Sequence, residues 1–255
     1  MKLRLFRDIN REPAPLAYRF AARVVHAVLS LGLRRDWDGF PSLPKTGGAI
    51  LVFNHLSSFD ALVVADYVLY HGRFPYFLAK ASLFNVPVLK YFLRAIDQIP
   101  VYRGTNQAGD ALAEAKRRLA AGKIVVIFPE GTTCRDPKLW PFAMKTGAAR
   151  LALDTGAPVI PVGQWGVSTF CPDNAGPQRA PHPIPRPWVH YRGGQPVDLS
   201  AFGRDATDRA AVRGATTTIL DALVRQVEVA RGRKAPPKRW NPLTQSYVDP
   251  ADAIW

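Results

Sequence analysis

Ala49-Ile50-Leu51-Val52-Phe53-Asn54-His55-Leu56-Ser57-Ser58-Phe59-Asp60 sets out a strand, a turn and a helix start in twelve residues. Its first five residues form an unbroken apolar run that reads as a buried strand, and Ser57 or Ser58 followed by apolar positions reads as a helix start. A histidine at the end of a strand and an aspartate in the first turn of the next helix can fold back on each other. Chemistry that takes a proton from a hydroxyl needs such a pair, with His55 as the base and Asp60 fixing its tautomer and stabilising the imidazolium. Ser57-x-x-Asp60 also fits a capping pattern in which Asp60 supports the helix N-terminus. Both readings stand at this point.

Working outward, apolar strand-like runs recur at Ala49–Phe53, Tyr76–Ala79, Ile99–Tyr102, Ile124–Phe128, Val159–Val162 and Trp188–Tyr191, after a short strand around Arg35–Asp38. Helical patterns fall between them at 59–70, 86–95, 107–121 and 142–154, and a last helix covers 206–231. Strands alternating with helices predict an α/β fold: a single domain with a mostly parallel, mixed sheet flanked by helices. Ligands of such sheets sit beyond the carboxyl ends of the strands, where His55, Arg103 and Glu130 fall. The proline-rich stretch from Cys171 to Pro187 reads as a long loop. The tail from Ala235, with Pro236, Pro237, Trp240 and Trp255, is expected either to extend over the body or to be mobile.

The 255 residues suffice for a sizeable core. A formal charge of +14 favours polyanions such as phosphates, anionic lipid or nucleic acid, but the charge is dispersed along the chain. Cys134 and Cys171, far apart, imply neither a disulfide framework nor a zinc site, and the five histidines show no metal-ligand spacing, so no metal is expected. No signal peptide or membrane-spanning stretch is read. Between Pro15 and Leu33, Arg19, Arg23, His26 and Ser30 recur at helical spacing while Phe20, Val24, Val25, Val28, Leu29 and Leu31 fill other sides. This predicts an N-terminal amphipathic helix that either lies in a membrane interface or packs on the protein's own core. The charge leans toward the membrane, since each basic residue near an anionic surface contributes about 1 kcal/mol.

Four short blocks occur in order: Asn54-His55-Leu56-Ser57-Ser58-Phe59-Asp60, Val101-Tyr102-Arg103-Gly104, Phe128-Pro129-Glu130-Gly131-Thr132 and Pro158-Val159-Ile160-Pro161-Val162. Together they resemble the glycerolipid acyltransferase family, in its bacterial 1-acylglycerol-3-phosphate acyltransferase branch, over residues 45–170. The resemblance implies a glycerol-3-phosphate acyltransferase-like fold, organised as an N-terminal helix (1–34), an acyltransferase domain (35–232) and a C-terminal tail (233–255). It implies transfer of a fatty acyl group from acyl-CoA, or an acyl carrier protein, to the free hydroxyl of lysophosphatidic acid, with no other cofactor. Such a protein is expected at the cytoplasmic face of the cell membrane, peripheral or monotopic, its partners being the donor, the lysophospholipid and an anionic membrane surface rather than nucleic acid.

The residues fit that chemistry. Acyl transfer from a thioester to an alcohol needs a base for the hydroxyl proton and donors for the developing oxyanion. No G-x-S-x-G elbow occurs, which favours direct attack without an acyl-enzyme. Backbone amides near the start of the helix after His55 are the expected oxyanion donors. Arg103 would grip a phosphate. Glu130 would orient Arg103 or contact glycerol hydroxyls, Gly131 frees the backbone for close approach to a ligand, and Thr132 completes the block. Many relatives follow Glu-Gly-Thr with arginine; here Thr133 stands there, leaving Arg135 or Lys145 to supply the second cation. The departure leaves the acceptor open among lysophosphatidate, glycerol-3-phosphate, another lysophospholipid and a glycolipid. A non-catalytic basic lipid- or nucleic-acid-binding protein is the rival from another class. The acyl groove is expected along helix 86–95 or the 159–167 strand.

Overall fold

Ala49–Phe53 is a strand with all five residues buried, and it occupies the centre of a seven-stranded sheet. The computed structural model describes residues 15–38, 43–87, 89–96, 98–101, 108–172 and 184–253. In chain order the elements are α1 (Leu16–Gly32), β1 (Arg34–Trp37), β2 (Ala49–Phe53), α2 (Asp60–Tyr70), β3 (Pro75–Lys80), α3 (Leu89–Ala95), β4 (Ile99–Val101), α4 (Ala108–Ala120) and β5 (Ile124–Ile127). There follow α5 (Gly147–Thr155), β6 (Val159–Trp165), α6 (Val167–Phe170), β7 (Trp188–Gly193), α7 (Arg209–Arg231) and the strands β8 (Arg239–Asn241) and β9 (Ser246–Val248). The sheet order is β1-β7-β6-β2-β5-β3-β4, parallel throughout except between β6 and β7. This is the mostly parallel, mixed α/β sheet expected.

The two-residue period of β2 divides the core. Ile50 and Val52 join side chains of α4, α5 and α7 on one face, while Ala49, Leu51 and Phe53 join α2 and the end of α1 on the other. A strand covered on both faces has no use for a polar side chain, which is why the run is apolar without alternation. Helix α7 lies close over β6: a Cβ on Gly163 would stand 2.2 Å from the Gln226 carbonyl carbon, and glycine is what permits the approach.

Two helical expectations need correction. Residues 142–146 are not helical; α5 begins at Gly147 because the Met144 N–H bonds to the Ala253 carbonyl (3.1 Å) and the Lys145 N–H to the Pro129 carbonyl (2.9 Å). Residues 86–95 contain a short helix only from Leu89, preceded by a 3₁₀ turn at Ala81–Asn85, with Pro87 between the two. The C-terminal segment packs over the body. β8 and β9 form an antiparallel hairpin, the Tyr247 hydroxyl donates to Asp136 at 3.0 Å, and Ala253 is buried. Trp255 lies outside the described residues.

Helix α1 packs on the protein's own core along one side and leaves the other side exposed. Tyr18, Ala21, Ala22 and Leu29 are buried, and the polar stripe turns partly inward. His26 pairs with buried Asp66 of α2 (2.7 Å), whose other oxygen takes Arg35 (2.6 Å), and Arg19 lies over the Phe74 ring. The opposite side presents Leu16 (85% exposed), Phe20 (70%), Val24, Val28 and Leu31 (80%). No described helix is long and apolar enough to cross a membrane.

Gly163→Ala should lower stability by about 1–3 kcal/mol, because the methyl group meets α7 backbone rather than a side chain that can swing away. Chemical denaturation of the two proteins checks this, and an unchanged midpoint would show that α7 can shift freely over β6.

Candidate active site

The chain leaves β2 at Phe53, and the next residues are held one by one. Asn54 is locked to Gln164 of β6 by three hydrogen bonds: Nδ2 to the Gln164 carbonyl (3.1 Å), Oδ1 from the Gln164 N–H (2.8 Å), and its carbonyl from Gln164 Nε2 (3.1 Å). Leu56 is buried in a small apolar cluster with Cys134, Phe142 and Ala143. Between these anchors His55 projects outward, its side chain 19% exposed.

Asp60, at the start of α2, is fully buried and turns back onto this turn. Its Oδ2 accepts from His55 Nδ1 (2.9 Å), the Leu56 N–H (2.5 Å) and the Ser57 N–H (2.9 Å). The expected pairing and the expected support of the helix start are therefore one arrangement. With Nδ1 donating to the carboxylate, the proton-free ring nitrogen is Nε2, which has no protein partner among the described residues. The Phe128 ring stacks on the imidazole at 4.3 Å and 21°, and Phe77 stacks beyond it at 6.2 Å.

These contacts also bear on oxyanion donors. The Phe59 N–H is taken by Ser57 Oγ and the Asp60 N–H by the Ser57 carbonyl. With the Leu56 and Ser57 N–H groups on Asp60 and that of His55 on Glu130, the turn expected to supply oxyanion donors has five of its N–H groups already bonded. The reason is geometric: a turn tight enough to bring Asp60 under His55 closes its own amides.

Glu130 follows β5, the neighbour of β2, so the sheet brings it beside His55 as expected. Its carboxyl group points inward, however, and Oε1 accepts the His55 N–H at 2.9 Å. Burial pushes this carboxyl well above the usual carboxylate range, an effect opposed in part by the His55 and Phe142 N–H groups. Gly131, at φ 70°, then reverses the chain, with the Lys145 side chain lying where a Cβ would go. Arg135 and Lys145 are exposed and form no ion pair among the described residues. Arg103 lies outside the described residues.

Two cavities flank the turn. One, of about 330 Å³, is almost wholly apolar; α1, α2, β3 and α3 line it through Ala22, Val25, Ala61, Leu62, Phe77 and Leu93, with Ser58 of the His55 turn at its wall. The other, an open groove of about 930 Å³, is lined by Leu56, Thr132, Thr133, Arg135, Trp165, Ser168 and Thr169. Leu93 comes from the 86–95 segment in which a groove was expected, whereas the 159–167 strand lines no part of the apolar cavity and gives Trp165 to the polar groove.

Three residues not singled out by sequence stand here. Lys80, exposed, ends β3 at the same edge of the sheet as His55; its signal is a cation closing an apolar run, as His55 and Glu130 close theirs. Gln164 holds Asn54, a long-range contact with no local signal. Arg231 of α7 lies between the rings of Trp140 (4.0 Å) and Trp165 (3.8 Å), next to the polar groove. Among the described residues no three His, Cys, Asp or Glu side chains gather to hold a metal ion.

Comparison with known proteins places this site in context. The family model described as Acyltransferase matches residues 37–165, which include His55, Asp60 and Glu130. The 1-acyl-sn-glycerol-3-phosphate acyltransferase of Borreliella burgdorferi is 31% identical over 141 residues, covering 54% of this chain and 54% of that protein. The chloroplastic 1-acyl-sn-glycerol-3-phosphate acyltransferase BAT2 of Brassica napus is 30% identical over 141 residues, 54% of this chain and 39% of that protein. The lyso-ornithine lipid O-acyltransferase of Rhizobium meliloti is 37% identical over 111 residues, 42% of this chain and 35% of that protein. The matches thus span about half or less of the length of these relatives. The crystal structure of the 1-acyl-sn-glycerophosphate acyltransferase PlsC from Thermotoga maritima superposes with a TM-score of 0.63 at 24% identity, over 86% of this chain and 83% of that one, which shows a shared fold. On a match over residues 37–165, a span that contains the central strand and the His55–Asp60 pair, the chain belongs to the Acyltransferase family.

Proposed function

We propose that the protein is an O-acyltransferase that moves a fatty acyl group from a thioester, acyl-CoA or acyl carrier protein, to the free hydroxyl of lysophosphatidate. The observation that carries this reading is the 2.9 Å contact between His55 Nδ1 and buried Asp60 Oδ2, which leaves Nε2 as the basic nitrogen of a partly exposed ring. In the reaction the acceptor oxygen attacks the thioester carbonyl carbon while Nε2 takes the hydroxyl proton. The tetrahedral intermediate then expels the thiolate, which takes that proton back from the imidazolium. Asp60 stabilises the charged ring between the two transfers.

The two cavities suit the two halves of such a reaction. The apolar cavity suits an acyl chain, and the Phe77–Phe128–His55 row of rings joins its wall to the base. The polar groove with Arg135, and the exposed Lys80 and Lys145 at the same edge of the sheet, suit phosphate-bearing substrates. The exposed apolar side of α1 suits attachment to a membrane surface from which a lysolipid is drawn, with the protein peripheral or monotopic at the cytoplasmic face. A second reading of the acceptor, another lysolipid, is favoured by Thr133 in place of a second arginine, in a groove where Asp136 stands beside Arg135. The Rhizobium relative is named for a lyso-ornithine lipid acceptor.

Purified protein assayed with one acyl-CoA against a panel of acceptors should acylate lysophosphatidate with the highest kcat/KM; exclusive use of a phosphate-free lysolipid would establish the second reading instead. His55→Ala should reduce kcat by roughly 100-fold or more with an unchanged circular dichroism spectrum. Asp60→Asn should show a loss of similar order, since the amide no longer holds the imidazolium, and a folded variant with full activity would reduce Asp60 to a helix cap. Replacing Leu16, Phe20 and Leu31 together by serine should weaken co-sedimentation with vesicles of phosphatidylglycerol at least about tenfold, as each buried side chain of this size contributes roughly 1.5–3 kcal/mol. Undiminished co-sedimentation would remove α1 from any membrane contact.

A further inference from the structure

The N–H of His55 is a donor that the sheet cannot use. Pairing of β2 with β5 ends at Val52 opposite Ile127, and pairing with β6 ends at Phe53 opposite Val162. A buried N–H left without a partner destabilises the fold, so something must meet it if the turn is to keep its shape. Glu130 Oε1 meets it at 2.9 Å, and four residues later the Cys134 N–H donates to the His55 carbonyl at 2.6 Å. Both backbone polar groups of His55 are thus gripped by one loop, 130–134, whereas its neighbours are held elsewhere: Asn54 by Gln164, Leu56 and Ser57 by Asp60.

We propose that Glu130 is a positioning residue: its carboxyl oxygen sets the height and tilt of His55 through the main chain, and it does not contact either substrate. This inference rests on the reading of His55 as the base. The side chain is 5% exposed and lines neither the apolar cavity nor the polar groove. Oε1 is taken up by the His55 N–H, and among the described residues no cation pairs with the carboxyl group. The turn at Gly131 separates the tasks, sending Glu130 inward and Thr132 and Thr133 into the groove. Burial, which favours the neutral acid, agrees with a group needed for a lone pair rather than a charge.

The test is steady-state kinetics of the full chain with acyl-CoA and lysophosphatidate for Glu130→Gln and Glu130→Ala, with His55→Ala as the reference. The Gln variant keeps an oxygen that can accept the His55 N–H, so its kcat should stay within about threefold of the parent. The Ala variant should lose tenfold or more in kcat, with KM for both substrates within twofold. A rise of fivefold or more in the KM of lysophosphatidate in either variant, with kcat preserved, would overturn the inference by placing the carboxyl group on the acceptor. A folded Gln variant as inactive as the Ala variant would overturn it too, because the charge and not the accepted hydrogen bond would then matter. If the Ala variant does not fold by circular dichroism, the Gln variant decides on the same criteria. Full activity in His55→Ala sinks the reading of His55 itself, an outcome distinct from an inactive His55→Ala beside a KM effect at Glu130.

Discussion

One carboxylate oxygen, Asp60 Oδ2, accepts three donors from the turn that precedes its own helix. The architecture around His55 follows from that constraint. To receive all three, Asp60 must be buried beneath the turn, and burying a carboxylate is tolerable only when donors surround it. The three bonds fall on Oδ2 alone, Oδ1 being buried without a hydrogen-bond partner, and they fix the imidazole tautomer and close the backbone. The contacts that hold the turn are also those that orient the imidazole, so its geometry is set by the fold itself.

The sheet makes this geometry reproducible. β2 and β5 are adjacent and parallel, which brings the ends of two apolar runs, and hence His55 and Glu130, to one edge. α2 covers the face that carries Phe53, and α1 lies against α2, so the apolar cavity forms where two helices and β3 meet beside the His55 turn. The polar groove arises on the other side, where the loop after Gly131 passes Trp165 and α6.

Much of this was legible in the residues. Unbroken apolar runs mark strands covered on both faces, and Ala49–Phe53 and Ile124–Ile127 show it. The His55–Asp60 contact was legible because it is local, spanning five residues and one turn. The inward turn of Glu130 was not, because a carboxylate after a strand gives no sign of whether it faces the cleft or the neighbouring backbone. Residues 142–146 kept a helical pattern in sequence, yet the Met144 and Lys145 N–H groups go to Ala253 and Pro129, partners that only the tertiary fold supplies. The Gln164–Asn54 lock spans 110 residues and was invisible for the same reason. Helix α1 shows a further limit: a polar and cationic stripe among apolar positions marked an amphipathic helix, but not which side met the protein.

The C-terminal hairpin behaves as a strap across the back of the groove loop, through Tyr247 to Asp136 and Ala253 to Met144. None of its strands belongs to the seven-stranded sheet. Proteolytic trimming of this strap would therefore leave the bulk of the fold standing while loosening the segment that carries Thr132 and Arg135, so that a folded sheet would no longer vouch for an ordered groove.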